Sequence, residues 1–249
     1  MKVALIGDVH ANLPALTAVL ADARRRKVQA IWNIGDFVGY GAFPQEVIDQ
    51  LRHAQAVSIA GNYDLKVLKL PRKLREWSKK KDPQKLLAFR WAHEHLTPAG
   101  RRCLAALPQE VRMTVEGLRV LLTHGSPQSN EEHLTPDTPS RRLGELAAGA
   151  RADIIVCGHS HTPFARKVGG VWFINTGSVG RPDDGDPRAG YAVLNLTPTS
   201  VRVKHYRLTY DVQAAADAIR KNRLPEEFAQ MILQGRALDD IEPGDKSSE

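Results

Sequence analysis

The chain has 249 residues, 42 % hydrophobic and 25 % charged, proportions that exclude a disordered chain and allow one large core or two small ones. No apolar run approaches the ~18 residues that a bilayer crossing needs, so no membrane partner is expected, and the opening MKVALIGDVHAN is too short in apolar residues to read as a secretory leader. The net charge of +7 is local, because residues 66–85 hold nine Lys or Arg against two Asp or Glu and the remainder is neutral.

Residues 3–6 form an apolar run that stops at Gly7-Asp8, the pattern of a buried parallel strand. Asn12 with Pro14 predicts a helix start, and Leu13, Leu16, Leu20 and Ala23 share one helical face. Residues 30–34 read as a second strand stopping at Gly35-Asp36, 44–53 as a helix, and 56–60 as a third strand stopping at Gly61-Asn62. Strands alternating with helices predict an α/β protein with a parallel sheet. From 65 to about 107 charged helical segments follow, broken at Pro71, Pro83 and Pro98, and read as a helical cap insertion. Its basic stretch 66–85 is either a solvated helical face or a lure for phosphate-rich substrate or nucleic acid, with Trp77 either stacking a base or packing on the body.

Residues 111–115 and 118–123 read as a hairpin turning at Glu116-Gly117 and ending in His124-Gly125. After a proline-punctuated loop at 135–139 and a short helix, IIVC at 154–157 runs into GHSH. Residues 171–174, 191–196 and 201–206 read as strands and 211–236 as helical, so one domain is expected over 1–236, with a flexible tail at 237–249. Asp183, Asp184 and Asp186 resemble a turn more than a calcium loop, because later ligands of such a loop are missing. Cys103 and Cys157 suggest no disulfide framework, and a reducing cytoplasm fits best.

Five apolar runs stop at Asp8-Val9-His10, Asp36, Asn62, His124 and His159-Ser160-His161. In open α/β sheets ligands bind beyond the carboxyl ends of strands, so these side chains are expected to converge at one edge. The set lacks thiolates, which argues against a structural zinc site; imidazole and carboxylate suit Mn, Fe, Zn or Ni. Seven ligands exceed one tetrahedral ion and suffice for two divalent ions sharing a carboxylate. Such a pair can hold a bridging hydroxide and clamp phosphate oxygens, so hydrolysis of a phosphate ester is the expected reaction.

D-x-H, G-D, G-N, H and G-H-x-H, in this order over about 200 residues, resemble the calcineurin-like metallophosphoesterases. GDFVGYGAFPQEVID, THGSP, CGHSHTPF and NTGSVGRPDDGDPRAGY are similar to the bacterial and archaeal phosphodiesterase-like branch. The resemblance implies a four-layer α/β/β/α sandwich with a small helical cap. It implies one metal on Asp8, His10, Asp36 and His161, another on Asp36, Asn62, His124 and His159, and Asp36 as the bridge. It also implies a phosphodiesterase, with a phosphomonoesterase for nucleotide or phosphoprotein, or a non-catalytic scaffold, as alternatives.

The chain departs from that pattern at two places. Tyr63 stands where many catalytic members carry the His that protonates the leaving oxygen; it is either a hydrogen-bond donor to phosphate or a packing aromatic. Asp64, which in relatives steadies that His, is expected to bond Tyr63 or backbone. Gly39-Tyr40-Gly41 replaces an Asp-Arg-Gly whose arginine grips phosphate in protein phosphatases and dinucleoside tetraphosphatases. His133 is assigned to a surface loop rather than to the metals. Ser126 and Ser160 lack a base once the histidines bind metal, so a serine nucleophile is not expected.

Overall fold

The computed structural model describes residues 1–242. Its centre is a pair of five-stranded sheets. In the first, β1 (Lys2–Ile6), β2 (Ala30–Asn33) and β3 (Val57–Ser58) run parallel, and β9 (Ala189–Thr197) and β10 (Ser200–Leu208) extend it antiparallel, in the order β10-β9-β1-β2-β3. In the second, β4 (Glu110–Val115) and β5 (Leu118–Thr123) form a hairpin beside the parallel β6 (Ile154–Cys157) and β8 (Val171–Asn175), with β7 (Phe164–Val168) antiparallel at the edge. Glu116 (φ 52°) and Gly117 (φ 78°) are both left-handed, as a two-residue hairpin turn requires.

Side-chain alternation along each strand builds the layers. Val3 and Leu5 of β1 meet Val120 and Leu122 of β5 and Ile154 and Val156 of β6 between the sheets, together with Trp32 and Ile174. Ala4 and Ile6 point the other way, onto Ala15, Leu16 and Val19 of α1 (Leu13–Arg25) and Val47, Ile48 and Leu51 of α2 (Pro44–His53). Leu121 and Ile155 do the same against Leu143 and Leu146 of α6 (Ser140–Ala150). The expected four-layer α/β/β/α sandwich is therefore present.

The helices at 62–106 correct one expectation. Pro71 does not break its helix: α3 (Asn62–Trp77) runs through it, because Pro71 sits on the exposed face while Asn62, Asp64, Val67 and Leu70 anchor the other. Pro83 and Pro98 instead start α4 (Pro83–His95) and α5 (Pro98–Ala106), where the missing N–H costs nothing. Asp82 caps α4 by accepting from Gln84 N and Lys85 N, and Thr97 caps α5 by accepting from Gly100 N. Trp77 packs on the body, against Phe89, and Lys81 lies over its ring.

Three other differences have local causes. β7 was hidden because its polar Arg166 and Lys167 suit an exposed edge strand rather than an apolar run. The predicted 211–236 helix is two, α7 (Val212–Lys221) and α8 (Glu226–Gln234), parted before Pro225. The first part of the expected tail is ordered by burial, since Leu238 and Ile241 pack on Phe228 and Met231; its end, 243–249, lies outside the described residues. Among the described residues no helix is long and apolar enough to cross a membrane.

Candidate metal centre

The loops after β1, β2, β3, β5 and β6 open at one edge of the paired sheets. They are stitched together by backbone: Asp8 N donates to Gly35 O (3.0 Å), His10 N to Asp36 O (3.0 Å) and Gly158 N to His124 O (2.8 Å). The glycines before Asp36 and Asn62 exist for lack of space. A Cβ on Gly35 (φ +95°) would lie 2.3 Å from Gly61 N, and one on Gly61 would lie 2.1 Å from Asp36 Oδ1. Five of the seven expected ligands, Asp8, His10, Asp36, His159 and His161, are left-handed, with φ between 48° and 64°. Asp and His tolerate that region better than most residues, yet each such position costs about 1–3 kcal/mol, and clustered backbone strain of this kind marks functional sites.

The ligand atoms converge. Asp36 Oδ2 lies 3.7 Å from His10 Nε2 and 3.5 Å from His124 Nε2, so it stands between two groups, as a bridge must. On one side His161 Nε2 is 3.3 Å from His10 Nε2 and 3.3 Å from Asp8 Oδ1. On the other, His124 Nε2 is 3.1 Å from Asn62 Oδ1, and the His159 ring centroid is 5.1 Å from that of His124. Asp8, His10 and His161 form one set of ligand atoms within 4.8 Å of one another, and Asp8, Asp36 and His124 another; His159 falls outside both. All but half-buried His159 are buried.

Outer contacts set the rings. His10 Nδ1 faces Val38 O (3.3 Å) and His124 Nδ1 faces Ile34 O (2.7 Å). A carbonyl only accepts, so each Nδ1 carries a proton and Nε2 is left to bind a cation. His161 Nδ1 faces Asp183 Oδ2 at 3.4 Å. Asp8 Oδ1 is buried without a hydrogen-bond donor. Neutral Nε2 and carboxylate oxygens at such separations set lone pair against lone pair unless a proton or a cation lies between them. The donor set therefore fits metal ions of the kind the residue types imply.

Without metal, protons fill the gaps. Burial disfavours a charged His124, yet the charge and hydrogen bond of Asp36 override it and push the ring up to about 9. His161 is likewise opposed by burial and held up at about 9 by Asp8 and Asp183. Burial lowers His159 to about 4, with His124 adding to the effect.

The remaining predicted positions are placed as follows. Asp64 bonds backbone: it accepts from Gly61 N (2.9 Å), Phe37 N (3.0 Å) and Val38 N (3.3 Å), tying the Asn62 loop to the Asp36 loop. Burial and the nearby Asp36 push it up to about 8. Tyr63 N donates to Asp36 Oδ1 (2.8 Å), its ring packs edge-on against His10 and Phe89, and its hydroxyl meets that of Tyr40 at 2.5 Å. Burial, then the Tyr40 neighbour, raises its pKa well above the usual phenol value. His133 is exposed on a loop, as expected, and its ring centroid lies 4.4 Å from that of His159. Ser126 Oγ donates to Glu132, whose carboxylate is held by Arg142 and so made a weak base, and Ser160 Oγ donates to Leu134 O (2.6 Å).

Two residues escaped the sequence reading. Asp183, taken as part of a turn, lies against His161 with Oδ2 3.4 Å from Nδ1; nothing in their spacing announces the approach. Arg181 sits beside Tyr40, its guanidinium carbon 4.7 Å from the ring centroid. One signal was available for Arg181: NTGSVGR follows an apolar strand, β8, that ends at the same sheet edge as the ligand-bearing strands.

A two-sheet α/β sandwich carrying buried carboxylates and imidazoles at the strand ends defines the chain as a metallophosphoesterase-type protein. A sequence profile of the calcineurin-like phosphoesterase superfamily domain matches residues 1–199, and the chain belongs to that superfamily. An uncharacterized protein of Methanocaldococcus jannaschii is 31 % identical over 94 % of this chain and 98 % of its own. Phosphodiesterase YfcE of Escherichia coli is 28 % identical over 81 % of this chain and 91 % of its own. The crystal structure of a metallophosphoesterase from Sphaerobacter thermophilus superposes with a TM-score of 0.76 at 30 % identity, covering 94 % and 99 % of the two chains.

Proposed function

We propose that this protein is a binuclear metal-dependent phosphodiesterase. Asp8, His10, Asp36 and His161 would hold one divalent ion and Asp36, Asn62, His124 and His159 the other, with Mn, Fe, Zn or Ni all compatible with the donors. The observation that carries the proposal is the meeting of His10 Nε2 and His161 Nε2 at 3.3 Å, with Asp36 Oδ2 within 3.7 Å of both His10 and His124. Two ions at such a site supply Lewis acidity to phosphate oxygens and lower the pKa of bound water toward neutrality.

The chain's own residues would then do three things. Val38 O, Ile34 O and Asp183 hold the imidazoles with Nε2 inward. Asp64 locks the Asp36 and Asn62 loops at their working separation. Tyr63, a neutral phenol paired with Tyr40, offers a hydrogen bond but not a readily released proton, so leaving groups that need no protonation are favoured. That favours aryl or otherwise activated diesters over alkyl monoesters, in keeping with the name of the Escherichia coli relative. The cap at 65–107 would shape the pocket, a role supported by the Phe89–Tyr63 contact. The two free thiols, Cys103 and Cys157, support a reducing cytoplasmic setting.

The test is metal analysis of the purified protein with a screen of aryl phosphodiesters, cyclic nucleotides and monoesters. Two ions per chain, with chelator-sensitive diester cleavage and a steep dependence on leaving-group pKa, is the expected result. Fast alkyl monoester turnover moves the protein to the phosphomonoesterases; metal-free, inert protein moves it to the scaffolds. In the basic segment Lys66 pairs with Glu131, Lys73 and Lys80 with Glu76, and Lys85 with Asp239. A salt-sensitive DNA or RNA shift abolished by neutralising Lys79, Lys80 and Lys81 would add nucleic acid to the partners.

A further inference from the structure

We propose that Arg181 grips the non-bridging oxygens of the substrate phosphate, the task left without a residue at Gly39-Tyr40-Gly41. The proposal rests on the phosphodiesterase reading and adds the residue that binds the anion.

The backbone around Arg181 is bolted to the first metal-ligand loop. Val179 N donates to Gly7 O (3.0 Å), Gly180 N to Asp8 O (3.1 Å), Ser178 Oγ to Asp8 O (2.8 Å) and Asn12 Nδ2 to Gly180 O (2.9 Å). Gly180 is pressed so close that a Cβ there would lie 1.8 Å from Val9 O. Arg181 N itself is held by Ser178 Oγ (2.9 Å). The arginine is thus positioned by the same backbone that positions Asp8 and His10.

Its side chain lies along an aromatic wall. The guanidinium carbon is 4.7 Å from the Tyr40 ring centroid, and the Tyr40 ring centroid is 5.9 Å from that of His10 and 5.3 Å from that of Tyr63. Arg181 Nε is buried and has no hydrogen-bond partner, and among the described residues no carboxylate pairs with this guanidinium. Asp183, two residues on, is turned to His161 instead. Other half-buried arginines have their heads satisfied: Arg26 by Asp22, Arg142 by Glu132, Arg207 by Asp184, and Arg101 and Arg166 by backbone carbonyls.

A half-buried cation with its Nε sealed off and no carboxylate in contact is costly, and a planar fork set over an aromatic ring is preorganised for an oxyanion. In phosphoryl transfer, charge spreads over the non-bridging oxygens, and a fixed guanidinium meets it without reorganisation. The chemistry recognised is a phosphate oxyanion beside the metal ligands.

The test compares R181Q and R181K with wild type, each reconstituted with metal. Bound metal, kcat and KM for an aryl phosphodiester, and competitive inhibition by inorganic phosphate are measured. R181Q should keep its metal, lose roughly 10- to 100-fold in kcat/KM and need correspondingly more phosphate for inhibition, as expected for loss of a charged hydrogen bond. R181K, a point charge without the fork, should recover part of the loss. Unchanged phosphate inhibition and kcat/KM in R181Q overturns the proposal, as does loss of activity only in step with lost metal. If wild type neither cleaves phosphoesters nor is bound by phosphate, the phosphodiesterase reading falls and this one with it. If wild type does both and R181Q equals it, only the role of Arg181 falls.

Discussion

Gly61→Ala isolates the spacing between the two central ligand loops. Gly61 has φ −84° and ψ 177°, a conformation open to alanine, so the substitution tests space and not backbone freedom. The new methyl carbon would lie 2.1 Å from Asp36 Oδ1, 2.3 Å from Asp36 N and 2.8 Å from Asp36 Cγ, where ordinary contact begins at 3.4 Å. The Asp36 carboxylate or the start of α3 must therefore retreat by about 1 Å, a displacement that costs on the order of 10²-fold in rate when it moves reacting groups. The strain in a packed interior adds about 1–3 kcal/mol of destabilisation. Gly144→Ala is the control: the same chemical change, inside α6, with nothing within 4 Å of the new carbon. It should stabilise the protein by about 0.5–1 kcal/mol through helix propensity and leave turnover alone. The assay is kcat/KM on an aryl phosphodiester together with bound metal and thermal unfolding for both variants. A Gly61→Ala protein with wild-type metal content and wild-type turnover refutes the reasoning.

Asp36→Ala removes the carboxylate proposed to be shared and should abolish metal retention and activity while leaving the far-ultraviolet circular dichroism intact; full turnover in that variant would remove Asp36 from the proposed centre. Asp183→Asn should loosen His161 and weaken metal affinity roughly 10- to 100-fold, read by competition with a chelator. In metal-free protein His124 and His161 titrate at about 9, above the ordinary 6.5. Their protonated forms thus stabilise the metal-free fold below pH 6.5, and that contribution is lost as pH rises through 9. Metal needs the neutral rings, so apparent metal affinity should climb from pH 6.5 to 9 and protons should be released on binding at pH 7.5; calorimetry in buffers of different ionisation enthalpy checks the sign. Leu5→Ala, at a fully buried position between the sheets, should cost about 2–5 kcal/mol in denaturant unfolding without changing metal content.

Much of the convergence of these side chains was legible in the sequence. Asp8, His10, Asp36, Asn62, His124, His159 and His161 each follow an apolar run, and strand ends of a parallel sheet share an edge. Unbroken apolar runs at 3–6 and 154–157 likewise announced strands covered on both faces. Pro71 misled because proline disfavours a helix interior, whereas an anchored buried face keeps α3 continuous past it. Tyr63 could be placed from its neighbour Asn62, but the Tyr40 hydroxyl that constrains it lies on another loop.

The sequence by itself determined the kind of chemistry: which atoms can donate to a cation, and that Gly-Asp and Gly-Asn leave room for them. These are properties of residue type and local spacing, and they travel with the chain. Only the tertiary structure decided what surrounds those atoms. Asp183 behind His161, His133 against His159 and Arg181 along Tyr40 all join segments far apart in sequence or turned by a loop. Such contacts depend on which loops the backbone bonds fasten together, and no local pattern encodes that.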